Sequence, residues 1–239
     1  MNRNTIALVL VLLLTIPVFA APSKDKEKNT TNFNGVITYI GKVSRIPDRK
    51  RTTARLQDLD SYFKLYLNDE YAKSVEDIQS QLEISKVTGI RNESFFQTLT
   101  YRDQAPMLVV ATSEEIQKYQ LTPRSMRANE KKIRTMTGKR TILGHKCLKM
   151  VCDMVTEDNI HVQLVAWYAP DMHISGYNTP YFGQLKGLPL AYDVWNGEYV
   201  VTYTATEIDE KNIPSSTFEK PKDIAPISFS EFMRMQQEQ

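Results

Sequence analysis

The chain is poor in the groups on which most enzymes depend. It holds three histidines and two cysteines in 239 residues. It has no Gly-x-Ser-x-Gly, no His-Glu-x-x-His, no glycine-rich phosphate loop and no EF-hand pattern, so the common signatures of hydrolases, metalloproteases and nucleotide enzymes are missing. With only His145, His161 and His173 as imidazoles, acid–base work at neutral pH would fall to carboxylates. The sequence therefore nominates no catalytic residue, no metal ligand and no cofactor. Charge of one sign is lacking too. Thirty Lys and Arg stand against 28 Asp and Glu, a net charge of +2, which leaves no global field to gather nucleic acid or an anionic membrane. A charge-driven partner would have to use a local patch.

Two such patches exist, Arg45, Arg49, Lys50, Arg51 and Arg55, then Arg124, Arg127, Lys131, Lys132, Arg134, Lys139 and Arg140. They read as solvated loops, with phosphate or lipid headgroups as the functional alternative. No aromatic residues interleave with them in the way that single-stranded nucleic acid would need.

Long apolar runs are absent except at the start. Met1-Asn2-Arg3-Asn4 carries one positive charge, and Ile6 to Phe19 is apolar in nearly every position. That is a basic n-region and an h-region, shorter than the roughly 20 residues of a membrane-crossing helix. Val18 and Ala20 are small residues at the −3 and −1 places. Residues 1–20 are accordingly expected to be a signal peptide cleaved after Ala20, with a periplasmic or secreted product that keeps no transmembrane anchor. No cysteine follows the cleavage site to take a lipid. Residues 21–32 are polar and charged with nothing to bury, and are expected to form a disordered leader. Residues 33–239 then make one β-rich domain.

The two cysteines are Cys147 and Cys152. Five residues apart on one strand they point to opposite faces and stand about 16 Å apart, whereas bridged Cα atoms lie within about 7 Å. Two separate thiols are expected. The same parity keeps His145, Cys147, Cys152 and His161 from converging on one metal ion.

What the chain does have is alternation. Phe33, Gly35, Ile37, Tyr39 and Val43 keep one parity, and Phe63, Leu65 and Leu67 do the same. Lys146 to Met154, His161 to Tyr168, Leu188 to Val194 and Glu198 to Ile208 are four further β-rich runs, and Asn196-Gly197 between the last two is a strong hairpin signal. Their inward set is Leu148, Met150, Cys152, Val162, Leu164, Ala166, Tyr168, Tyr192, Val194, Tyr199, Val201 and Tyr203. Helical signals are few. Ser74 with Asp77 resembles a capping box, and Val75, Ile78 and Leu82 share a helical face, so a short amphipathic helix is expected over Ser74 to Leu82. A second follows the Met107–Ala111 strand from Thr112, and Phe229 to Met235 suits a terminal helical turn.

Some of these residues carry a resemblance. Thr141-Ile142-Leu143-Gly144-His145-Lys146-Cys147-Leu148-Lys149 is similar to a strand start found in small exported envelope proteins. It is followed by Val165-Ala166-Trp167-Tyr168-Ala169-Pro170, Leu185-Lys186-Gly187-Leu188-Pro189-Leu190 and Ser216-Thr217-Phe218-Glu219-Lys220-Pro221. This order resembles the GLPGLI family and related uncharacterised exported families of Bacteroidota, although Leu190-Ala191-Tyr192 stands where that pattern has Gly-Leu-Ile. These families are similar in turn to lipoprotein carriers of the Lol type, which implies a curved antiparallel sheet or incomplete β-barrel, with two or three short accessory helices, around a hydrophobic cavity. It implies no catalytic residue.

Together these readings give a mainly β (α+β) fold and a non-enzymatic envelope protein that binds or carries a hydrophobic ligand, a lipid or the acyl chain of a lipoprotein. Leu164, Tyr168, Tyr192, Val201 and Tyr203 are the expected lining, closed by the Ser74 to Leu82 helix. The alternative is an envelope adaptor that meets another protein and takes no small ligand.

Overall fold

Residues that alternate at a spacing of two bury one side chain and expose the next only when the chain is extended, and nearly every described segment is extended. The computed structural model describes residues 32–47, 61–78, 82–89, 95–101, 105–111, 128–173, 178–179 and 181–237. The expected signal peptide, all of the leader but Asn32, and the helix expected from Thr112 lie outside them.

The strands are β1 (Gly35–Arg45), β2 (Ser61–Leu67), β3 (Tyr71–Ile78), β4 (Leu82–Gly89), β5 (Phe95–Tyr101), β6 (Met107–Ala111) and β7 (Ala128–Ile142), then β8 (His145–Thr156), β9 (His161–Ala169), β10 (Asn178–Thr179), β11 (Gly183–Gln184), β12 (Leu188–Trp195), β13 (Val200–Glu210) and β14 (Pro226–Ser228). Twelve of them form one sheet in the order β14-β6-β5-β4-β3-β2-β1-β13-β12-β9-β8-β7, and β10 pairs with β11. The large sheet is antiparallel except for the β14–β6 pair. It is mostly β with little helix, and it does not close, since β7 and β14 end it.

The expected helix over Ser74 to Leu82 does not exist. Ser74 to Ile78 belong to β3, and Leu82 opens β4. The 3–4 spacing of Val75, Ile78 and Leu82 fits a helix, but so short a helix is marginal in isolation. Phe63 pairs with Glu76 and Leu65 with Ser74 on one side of β3, and Glu76 pairs with Ile84 on the other. Two ladders satisfy the backbone where a single turn or two of helix would leave its ends open. Helical structure among the described residues is a 3-10 turn at Ser215–Phe218 and one α-helix, α1 (Phe229–Gln237), which buries Phe229 and Phe232. The terminal helical turn is thus present and the accessory helices are fewer than expected.

β7 corrects a second reading. Lys131, Lys132, Arg134, Lys139 and Arg140 lie on a 15-residue strand, not on a loop. Cations on an edge strand are a common guard against unwanted pairing, and they dilute the alternation that would have revealed it. Arg124 and Arg127 lie outside the described residues, as do Arg49, Lys50, Arg51 and Arg55.

The face that carries Ile37, Leu65, Leu164 and Tyr168, all members of the main core, is called here the inner face. β12 is buried at all eight positions, so it is covered on both faces, as central strands are. After β13 the chain runs over the outer face, where Ile213 and Phe218 pack with Val36 and Val87 and the Phe218 ring stacks on Tyr71 at 5.6 Å. It then adds β14 beside β6.

Candidate functional site

Cross-strand register decides which side chains meet, because directly opposed residues point to the same face. Leu164 opposes Cys152 and Tyr168 opposes Leu148. Tyr192 opposes Ala166 on one side and Tyr203 on the other, and Val201 opposes Val194 and Val43. The five expected lining residues therefore share the inner face. Leu164, Tyr168 and Tyr192 are buried members of the main core, and half-buried Tyr203 packs against it. Val201 is half-buried and stands apart from that core.

The centre of the inner face is a closed circuit of four rings. Tyr192 stacks on Tyr203 at 5.4 Å, and Tyr203 meets Phe63 edge-on at 6.0 Å. Phe63 stacks on Tyr39 at 5.1 Å, and Tyr39 meets Tyr192 edge-on at 5.8 Å. These are the separations at which offset and T-shaped pairs gain most. Tyr39 is fully buried and donates its hydroxyl to the Pro189 carbonyl at 2.7 Å. Phe63 and Tyr203 are half-buried, so the circuit runs from the core toward an accessible margin.

That margin is polar. The Tyr203 hydroxyl donates to Glu76 Oε1 at 3.2 Å, and Lys86 lies on β4 one pleat from Ile84, the partner of Glu76. Burial pushes the Glu76 carboxyl up to about 7, against the pull of Tyr203 and Lys86. Burial likewise brings the Lys86 ammonium down to about 7, against the pull of Glu76. Burial, reinforced by the Glu76 charge, holds the Tyr203 phenol well above its usual range.

Sequence reasoning found Tyr192 and Tyr203 through strand parity and missed Glu76 and Lys86. The missed signal was Ala72, Ser74 and Glu76 alternating with Lys73, Val75 and Asp77, overshadowed by the helix-like spacing of the apolar residues. The closing element also differs. The connection between β9 and β12, not a helix at Ser74 to Leu82, adds Met172, Phe182 and Leu185 to the main core, and Tyr181 donates its hydroxyl to the Trp195 carbonyl.

The thiols are free and buried, with Cys152 opposite Leu164 and Ile133, and Cys147 opposite Arg140. Their odd spacing puts them on opposite faces, and burial raises both above the usual thiol range. Among the described residues no three His, Cys, Asp or Glu side chains are grouped to hold a metal ion. No described helix is long and apolar enough to cross a membrane. A groove of about 450 Å³ lies elsewhere, between Leu108 and the Glu219–Pro226 segment.

No family model and no curated protein matches the chain. Solved structures do. Two crystal forms of PNGF-II are 15% and 14% identical, with TM-scores of 0.49 and 0.46, over 86% of this chain and 33% of theirs; the chain thus spans a third of their length. An outer membrane lipoprotein-sorting protein domain from Vibrio parahaemolyticus is 6% identical, with a TM-score of 0.22, over 82% of this chain and 92% of that one. A LolA superfamily protein from Nitrosomonas europaea is 9% identical, with a TM-score of 0.20, over 92% and 98%. At these values the likenesses transfer no residue and no activity.

Proposed function

We propose that this chain is an exported, non-enzymatic protein of the cell envelope that holds a hydrophobic ligand, a lipid or the acyl chain of a lipoprotein, against the inner face of its open sheet. The observation that carries this reading is the ring circuit of Tyr39, Phe63, Tyr192 and Tyr203. It is apolar, it reaches from buried to half-buried positions, and it ends on Glu76 and Lys86. Apolar walls with a few convergent polar groups are the usual make-up of a small-ligand site. Tyr203 is the hinge between the two parts, since its ring stacks in the circuit and its hydroxyl meets the carboxyl. An amphiphile would lay its chain on the rings and its head at Glu76 and Lys86.

Native mass spectrometry of protein purified without detergent tests the reading. A bound species that organic extraction identifies as a lipid supports it. A bare polypeptide that takes up no lipid from added micelles favours instead an adaptor of structural role, which would meet its partner through an outer surface.

A further inference from the structure

Among the described residues, three of the four exposed large apolar side chains sit on the β7–β8 arm, namely Ile133, Met136 and Leu143. Leu143 is at its apex. It forms with Gly144 the two-residue turn between β7 and β8, at φ 47° and 86° respectively. Both values fall in the left-handed region, where Asn-Gly is the usual choice and a leucine is disfavoured. Leu143 is left 45% exposed, and the turn beside it is open, for a β-carbon on Gly144 would meet nothing within 4 Å. An apolar residue set in an unfavourable conformation at an open tip has a use outside the fold.

Its surroundings say what kind. Lys139, Arg140 and Lys146 are all exposed and lie three or four residues from Leu143, roughly 10 to 13 Å along the strands. That is somewhat more than the Debye length of about 8 Å in physiological salt, so the three act as separate contacts around the tip, Lys139 and Arg140 on opposite faces of the arm. One acid is near, Asp171, held 3.0 Å from His145 Nδ1. A greasy apex collared by cations is the pattern that meets an anionic bilayer, where the cations face phosphates and the apolar residue enters among the chains. An acidic polypeptide would satisfy the cations but gives no reason for the leucine.

We propose that the tip of the β7–β8 arm docks on an anionic lipid surface, with Leu143 as the wedge and Lys139, Arg140 and Lys146 as the headgroup contacts. The proposal rests on the tip alone and stands or falls apart from the inner-face site.

Vesicle flotation of the purified chain tests it, with phosphatidylcholine alone and with phosphatidylcholine mixed with phosphatidylglycerol. The chain should float with the mixed vesicles and be released by added salt. Each basic contact is worth about fivefold in partitioning, so Lys139→Glu with Arg140→Glu should lose more than tenfold. Leu143→Asn, which suits the left-handed turn, should lose several-fold and leave a residue that salt removes entirely. The control is Lys131→Glu with Lys132→Glu, the same change in net charge about 30 Å or more down the strand, which should stay within about twofold. Failure to float, equal flotation with both vesicles, equal loss from the two charge reversals, or wild-type flotation by Leu143→Asn would each overturn the proposal. So would capture by soluble polyglutamate with no flotation, which would assign the cations to an acidic polypeptide.

Discussion

The ring of Tyr203 occupies the space above Gly41. The two residues oppose each other across β1 and β13, and a β-carbon on Gly41 would come within 2.8 Å of the ring and 2.5 Å of Ser61 Oγ. Gly41 is therefore what lets Tyr203 lie flat enough to stack on Tyr192. Gly41→Ala should destabilise the protein by about 1 to 3 kcal/mol, the usual cost of overpacking. In a Tyr203→Ala background that cost should shrink markedly. Denaturant unfolding of the double-mutant cycle checks it, and strictly additive costs would show that the ring is not the obstacle.

The Glu76 and Lys86 pair should write itself into the pH dependence of stability. Glu76 is raised in the folded state to about 7, so its contribution is fully present below its unfolded value and lost as pH rises through about 7. Lys86 is lowered to about 7, so its contribution is present above its unfolded value and lost as pH falls through about 7. The decline on the acid side of about 7 and the recovery on its alkaline side leave a minimum near neutrality. Glu76→Gln should remove the decline on the acid side while leaving the recovery on the alkaline side. Urea midpoints measured from about pH 5 to about pH 9 would contradict this if the variant and the wild type ran parallel.

Much of the inner face was legible in the sequence, for reasons particular to its residues. Tyr192, Val194, Val201 and Tyr203 flank Asn196-Gly197; Trp195 pairs with Val200 across residues 196–199, two residues later than a tight Asn-Gly turn would pair them, and an even offset keeps the parity, so alternation placed them on one face. The inner half of β8 and β9 followed in the same way from Leu148 to Tyr168. Glu76 and Lys86 were hidden because a carboxylate and an ammonium on an inward position contradict the rule that such groups face water. Their placement depends on β2 and β5, partners distant from the local pattern. β7 was hidden by its own charge. The covering role of Met172, Phe182 and Leu185 was hidden because an irregular connection has no period to read.

On the opposite face Asp193 does for the sheet what a ladder bond would do elsewhere. Its carboxylate accepts from Arg45 Nη2 at 2.5 Å, from the Val165 amide at 3.0 Å and from Thr202 Oγ1 at 2.6 Å. The aspartate is buried while the arginine is 42% exposed. Asp193→Ala should thus cost more than Arg45→Ala, about 1 to 3 kcal/mol against about 1 kcal/mol or less, since it leaves a half-buried amide and hydroxyl unmet. Thermal or denaturant unfolding ranks the two, and equal costs would contradict the assignment.

Cys147 and Cys152 should stay unbridged even under oxidising conditions. Both are buried, so a thiol reagent should react slowly with the native protein and label both in denaturant without prior reduction. Intact mass spectrometry showing a loss of two hydrogen atoms, with no label incorporated, would contradict the opposite-face geometry of β8.

Whether the inner face takes a hydrophobic ligand is read from titration of delipidated protein with a polarity-sensitive fluorescent fatty acid. The wild type should bind saturably, and unlabelled fatty acid should displace the probe. Phe63→Ala and Tyr203→Ala, both at half-buried positions and checked for folding by circular dichroism, should each weaken binding by about tenfold, the worth of one aromatic contact. No saturable binding by the wild type, or undiminished binding by both folded variants, would contradict the claim.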